Sequence, residues 1–359
     1  MEVEQQFVDA CSNGNVEKVG LLLENNQQMD FNCENESHRT PLFISCENGH
    51  IEVVKLLLNN ERINVNKVYG YDVTPFFIAC EKGFTGIVKL LLSDKRVEVN
   101  KTNIFGRTPF YIACLKKHID VVKLLLNDER VYLNQIDKNG FTPFFISCAK
   151  GYFEIVKLLL NDERIDVKKS LEKGATSLGI ACSNGHIEIV KLLLKDKRVD
   201  VNKANNNDWT PFYVVCNREQ IELVKLFLED ERVDISKPNI FGQTPFHLAC
   251  EKGYLEIVKY ILACRGEVNI NKKDGDGKTG IEIMREKQKE GQQRWEDSQD
   301  FHKRKRKYLD IVELLESFET NPNETRMKLR IQLGFAGKFV FFFFLLFSEF
   351  SIILIWFFF

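Results

Sequence analysis

The feature that most constrains this chain is a repeat of fixed length. Threonine recurs at Thr40, Thr74, Thr108, Thr142, Thr176, Thr210 and Thr244, in steps of 34, and cysteine keeps the same step at Cys46, Cys80, Cys114, Cys148, Cys182, Cys216 and Cys250. A general amphipathic bias would preserve hydrophobicity but not the register of two particular side chains. A period of this size means that a small supersecondary unit is copied along the chain, and no such unit can bury its own apolar stripe. Stacking has to do it, so the expected fold is an all-α repeat solenoid, elongated along the stacking direction.

Each unit reads as two short helices and a loop. Thr-Pro opens the first: threonine is a good N-cap, and proline at the first helical position lacks an N–H that would have had no partner. Gly49, Gly83, Gly151, Gly185 and Gly253 follow it, where a left-handed residue is needed and a Cβ is penalised. The second helix is IEVVKLLL or a close variant. Its Ile51, Val54, Leu57 and Leu58 share a face at helical spacing. A segment such as NDERVYLN then leads to a turn at Lys138-Asn139-Gly140.

The pattern resembles the ankyrin repeat. Thr40-Pro41-Leu42, Gly49-His50, Val53-Val54-Lys55-Leu56-Leu57-Leu58 and Val65-Asn66 match that family's motif elements, and the resemblance runs from about residue 5 to 320. It implies helix-turn-helix units with projecting finger loops, and a non-enzymatic scaffold that binds protein partners on a concave face of finger tips and first helices. There are departures. The period exceeds the family's roughly 33 by a residue between the second helix and the finger. The family's His after Thr-Pro-Leu survives at His247, while Phe43, Phe77, Tyr111, Phe145, Gly179 and Tyr213 replace it elsewhere. In the family that His ties neighbouring units through backbone hydrogen bonds; aromatic stacking is expected to substitute. Lys117 and Glu219 stand where glycine ends the helix, and Ser177 replaces the proline, so these units should be locally weaker.

The expected organisation is an N-terminal capping repeat over 1–39, seven repeats over 40–278, and a C-terminal capping repeat over 279–320 broken by a charged insert at 286–305. A polar basic linker, 321–338, and a hydrophobic tail, 339–359, follow. The insert should project as a helical extension or a loop. The tail, FVFFFFLLFSEFSIILIWFFF, has 21 residues and as a helix would span about 31 Å, the width of a bilayer core. Arg326, Lys328, Arg330 and Lys338 precede it, as expected of a cytosolic flank. Glu349 near mid-span is costly, and translation of T-rich non-coding sequence also yields such ends; both readings stand.

The net charge of -1 excludes a global electrostatic grip on nucleic acid. Met1 to Gln6 are too polar for a secretory signal. Rungs of the cysteine ladder would lie roughly 10 Å apart, beyond disulfide reach. Buried, reduced thiols in a cytoplasmic protein are therefore expected, with Cys33 and Cys264, in loops, the candidate reactive thiols. His50, His118 and His186 lie 68 residues apart, too far to share a metal. Gly275, Gly277 and Gly280 imitate a nucleotide-binding G-x-G-x-x-G, but the repeat register puts Gly277 in a finger turn and Thr279 at the next N-cap. A nucleotide-binding enzyme using this loop is the least favoured alternative. Asp274 and Asp276 imitate a calcium loop, except that Thr279 sits where glycine is required. No catalytic, cofactor or metal site is expected. Lys303-Arg304-Lys305-Arg306-Lys307 would suit a nuclear regulatory adaptor's import signal or a contact with an anionic surface, with a solvated helix face as the simpler reading.

Function is expected at the fingers. Tyr69, Tyr71, Phe105, Arg107, Phe141, Trp209 and Phe241 place aromatic and arginine side chains there, the types that dominate interface energies. Glu47, Asn48, Glu81, Lys82, Lys116, Lys150, Asn184, Arg218 and Lys252 would form a polar rim.

Overall fold

The computed structural model describes residues 2–26, 28–264, 268–291 and 297–335. The tail 339–359 lies outside them. The chain divides into a unit ending at Asp200 and a unit beginning at Val201. Among the described residues the elements are 19 helices, with no strand beyond an isolated bridge between Tyr69 and Val73.

The first unit contains α1 (Glu2–Ser12), α2 (Val16–Asn25), α3 (Pro41–Asn48), α4 (Ile51–Leu58), α5 (Pro75–Lys82) and α6 (Thr85–Ser93). It continues with α7 (Pro109–Leu115), α8 (Ile119–Leu126), α9 (Pro143–Lys150), α10 (Phe153–Leu160), α11 (Ser177–Ser183) and α12 (Ile187–Lys195). Helices this short are marginal alone, and the first helix of each repeat from α3 to α11 is opened by a side-chain cap. Thr40, Thr74, Thr108 and Thr142 accept the backbone N–H three residues on, from Phe43, Phe77, Tyr111 and Phe145. Ser177 costs its helix the proline but not the cap, since Thr176 Oγ1 accepts from Gly179 N at 3.0 Å.

Odd-numbered helices from α1 to α11 pack side by side in one layer, and even-numbered helices from α2 to α12 in a second. The core between them is built from Phe76, Phe110 and Phe144 of the first helices and Val54, Val88, Val122 and Val156 of the second, all buried. The ladder cysteines are fully enclosed.

Gly83 (φ 76°) and Gly151 (φ 75°) close their helices in the left-handed region, and a Cβ on either would lie within 2.8 Å of the next repeat's His118 or His186 ring. Lys117 adopts the same conformation, at φ 64°. There the following repeat presents Tyr152 rather than histidine, and Lys117 Nζ lies 5.7 Å from that ring's centre.

The second unit contains α13 (Pro211–Asn217), α14 (Ile221–Glu229), α15 (Pro245–Lys252), α16 (Leu255–Ala263), α17 (Gly280–Lys289), α18 (Ser298–Thr320) and α19 (Pro322–Gln332). The described part of the insert is helical on both flanks, with Glu286–Lys289 ending α17 and Ser298–Lys305 opening α18. The segment expected as a basic linker contains a folded helix instead. α19 packs on α16 and α18 and buries Leu329. Arg326 Nε and Arg330 Nε donate to the Leu262 and Ala263 carbonyls at 3.3 and 2.8 Å. These cations, expected as a membrane flank, satisfy the open carbonyls that end α16.

Candidate functional site

Most fingers are shaped by an Asx turn five residues before the repeat threonine; Tyr69 and Leu171 stand there instead in the fingers before Thr74 and Thr176, the first of which is closed by a backbone bridge between Tyr69 and Val73. Asn103 Oδ1 accepts from Phe105 N and Arg107 N at 3.0 and 3.1 Å. Asp137, Asn239 and Asp274 repeat this double acceptance at the same register. Neighbouring fingers are joined by backbone: Ile104 N donates to Tyr71 O at 3.0 Å, and Lys138 N to Phe105 O at 2.9 Å. These turn residues were not among the sequence candidates, although their signal, Asx at a fixed distance before threonine, is in the repeat.

The structure sorts the expected contact residues into two groups. Tyr71, Phe105 and Phe241 are exposed at 64%, 44% and 68%. Tyr71 and Phe105, from adjacent fingers, have ring centroids 5.7 Å apart, with exposed Ile104 beside them in sequence. In the second unit, exposed Ile240 precedes Phe241. Tyr69, Arg107, Phe141 and Trp209 are half-buried and turned inward. Tyr69 meets Phe43 edge-on at 5.0 Å, Phe141 stacks on Phe145 at 5.3 Å, and Trp209 lies 5.3 Å from Tyr213. The Trp209 indole N–H is enclosed without a hydrogen-bond partner.

Arg107 works inside the stack. Its guanidinium lies over the Phe105 and Tyr111 rings, with Nε 3.7 Å from the buried Asp137 carboxylate. Tyr111 donates its hydroxyl to Asp137 at 3.2 Å, and burial raises the phenol well above its usual range. Asp137 is thus a buried charge held by one cation, one hydroxyl and two backbone N–H groups.

The ties expected of a family histidine are shared among several residue types. His247 keeps one: its Nε2 donates to Lys272 O at 2.8 Å while Nδ1 faces the Thr244 cap. Tyr111 reaches Asp137 in the next finger, and Asn239 donates to the Tyr213 hydroxyl at 3.0 Å. Among the phenylalanines, Phe43 meets Tyr69 of the next finger edge-on, whereas Phe145 stacks on Phe141 of its own repeat. His50, His118 and His186 each donate Nε2 to a carbonyl of the preceding repeat, Ser12, Glu81 and Ala149.

Two further ladders were not read from the sequence. Arg96, Arg130 and Arg198 donate Nη2 to Leu58, Leu92 and Leu160 carbonyls at 2.9, 2.7 and 2.7 Å, capping the preceding second helix. Each is oriented by the aspartate two residues before it, and the arginine hydrogen bond holds those carboxyls below their usual range. Asn66, Asn100 and Asn134 donate Nδ2 to the next repeat's Arg96, Arg130 and Arg164 carbonyls and accept from Glu98, Tyr132 and Asp166 N. Lys168 occupies that register position in the following repeat.

The glycine-rich loop is a finger. Gly275 N donates to Phe241 O at 2.8 Å, and Asp274 takes the Asp276 and Lys278 N–H groups. At the N-terminus of α17, Glu282 already supplies a carboxylate to Thr279 N at 2.8 Å. A phosphate would meet occupied donors and a like charge. The candidate reactive thiols are similarly placed: Cys264 is buried, and burial pushes half-buried Cys33 up to about 11, so little thiolate exists near neutrality. Cys11 of the ladder is pushed up to about 12 for the same reason.

No curated protein matches the chain. Among solved structures, the ankyrin repeat domain of Bcl-3, a unique member of the IkappaB protein family, is similar with a TM-score of 0.54 and 21% identity, over 58% of this chain and 93% of that one. At that identity the likeness concerns the fold. The family model "Ankyrin repeats (3 copies)" matches residues 7–103, 76–170, 130–205 and 178–274. That match extends from the capping segment through the repeat array, and the chain belongs to the ankyrin repeat family.

Proposed function

We propose that this chain is a non-catalytic protein-interaction scaffold whose finger tips hold the partner. The observation that carries the reading is the exposed Tyr71–Phe105 pair beside Ile104, apolar surface set on a rigid backbone ladder. Aromatic anchors that lose little conformational freedom on binding are the usual centre of an interface. Glu81 and Lys116, paired at 3.1 Å on the first helices, stand as rim. Phe241 with Ile240 offers a second contact in the other unit. Within this reading the half-buried Arg107, Phe141, Tyr69 and Trp209 support the fingers from behind and touch the partner at most by an edge.

The test uses the full chain against its captured partner. Tyr71→Ala with Phe105→Ala should weaken binding by about 2 kcal/mol or more, at least some thirtyfold in Kd, with the helical circular-dichroism signal unchanged. Undiminished capture by a folded double variant removes the assignment. Tethering to a membrane through residues 339–359 is the finer part of the proposal and rests on their sequence. It is lost if the chain truncated after Lys338 and the full chain fractionate alike. No helix among the described residues is long and apolar enough to cross a bilayer.

A further inference from the structure

The basic run at 303–307 is built into α18, and the fold gives it a shape. Asp300, Lys303, Arg304 and Lys307 fall at i, i+3, i+4 and i+7, on one helical face. Together with Lys252, Gly253 and Tyr308 they line a cleft of about 370 Å³, at the small end of ligand-sized cavities. Tyr308 pins the arrangement. Its ring lies so close to Gly253 that a Cβ there would sit 2.9 Å from Cε1, and its hydroxyl donates to Glu251 O at 3.4 Å. This holds the extension of α18 beside the end of α15, so that four cations and one carboxylate line the cleft.

The cations are differently placed. Arg304 is braced, donating to Gly291 O at 3.1 Å with Glu290 3.9 Å away. Lys252, Lys303 and Lys307 form no ion pair among the described residues. Neighbouring surface lysines differ: Lys259 pairs with Glu256, Lys287 with Glu290 and Lys278 with Glu286. Lys305 turns to the Phe301 ring, 4.9 Å from its centre. Like charges at helical spacing repel, and a one-sign cleft focuses its field. A singly charged carboxylate leaves most of that charge uncompensated, whereas a phosphate ester brings close to two negative charges and several acceptor oxygens.

We infer that the cleft between Lys252 and the Lys303–Lys307 face of α18 binds a phosphate-bearing anion carrying more than one phosphate group. This site does not rest on the finger-tip reading, and of the expected polar rim the cleft uses Lys252 alone. Its lone carboxylate, Asp300, suits a ligand that also presents a hydroxyl donor.

Isothermal titration of the full chain with inorganic tripolyphosphate tests this. Saturable one-to-one binding is expected, weakened at least tenfold by Lys303→Gln with Lys307→Gln and also reduced by Lys252→Gln. The control is Lys305→Gln with Arg306→Gln, which removes the same charge from the same helix outside the cleft and should retain affinity. Absence of binding, equal loss in both double variants, or equal affinity for an oligoglutamate of matched charge would each overturn the site. Vesicles containing a phosphoinositide form the second arm. Capture that tripolyphosphate competes away identifies a lipid headgroup as the source, and tripolyphosphate binding without vesicle capture identifies a free phosphate compound.

Discussion

Replacing Gly83 with alanine separates two demands placed on one position. The residue sits at φ 76°, and a Cβ there would lie 2.4 Å from His118 Nδ1. That imidazole donates to Glu81 O at 2.8 Å and so ties its repeat to the preceding one. Left-handed backbone costs a non-glycine residue about 1–2 kcal/mol, and the stiffer unfolded chain returns roughly 0.4–1 kcal/mol. Displacing the ring forfeits a hydrogen bond worth about 1 kcal/mol. The net expectation is a loss of about 2 kcal/mol. Gly70 provides the comparison: it too is left-handed, at φ 55°, but nothing lies within 4 Å of its Cβ position, so Gly70→Ala should cost about 1 kcal/mol or less. In a His118→Ala background, Gly83→Ala should fall to the Gly70 value. The assay is equilibrium urea unfolding, compared by midpoints at equal m. Equal costs for Gly83→Ala and Gly70→Ala, or a cost unmoved by removing His118, would refute the steric argument.

Two other perturbations follow from the ladders. The aspartates paired to arginine two residues on, Asp94, Asp128, Asp162, Asp196 and Asp230, have depressed folded pKa values. Their contribution is therefore complete above the unfolded value of about 4 and is lost as pH falls through the folded values below it. Melting followed from about pH 6 to about pH 2 should show a smaller acid loss in Asp128→Asn than in the parent chain, and matching slopes would remove Asp128 from the account. Lys168→Asn should restore the interrupted amide ladder toward Arg198 and Asp200. It should raise stability by about 1 kcal/mol and slow hydrogen exchange in the Thr176 repeat; an unchanged or faster exchange would contradict it.

The parts of the fold that were legible are those whose partners lie within one repeat. Thr74 and the Phe77 N–H it accepts are three residues apart, and the helical period of Val54 and Leu57 needs no neighbour to be seen, although Ile51, read onto the same face, is exposed and Val53 is buried instead. The less legible parts act across repeats. Arg96 and Leu58 are separated by 38 residues and Asn66 and Arg96 by 30, spacings that become meaningful once adjacent units are laid side by side. The same limit applies to the fingers. Aromatic type alone could not tell Tyr71 and Phe105, which face out, from Phe141 and Trp209, which lean on Phe145 and Tyr213. The sorting follows register: Tyr71, Phe105 and Phe241 stand three residues before the repeat threonine and face out, while Phe141 and Trp209 stand one residue before it and lean inward. Segment 321–338 read as a linker because its cations dominate its composition. What makes α19 a helix is the apolar footing of Leu329 and the carbonyls that Arg326 and Arg330 find on α16.

The arginine ties of the first unit all point backwards along the chain, each side chain reaching the helix made before it. Such a stack has a polarity, and its two open ends are not equivalent when it is cut. Deleting early repeats strands a guanidinium, a group that water solvates readily at the new surface. Deleting late repeats strips a helix end of its donor and leaves bare peptide oxygens over an apolar stripe. Nested deletions should therefore be tolerated better from the amino side than from the carboxyl side, and during synthesis each newly emerged repeat completes the one already made.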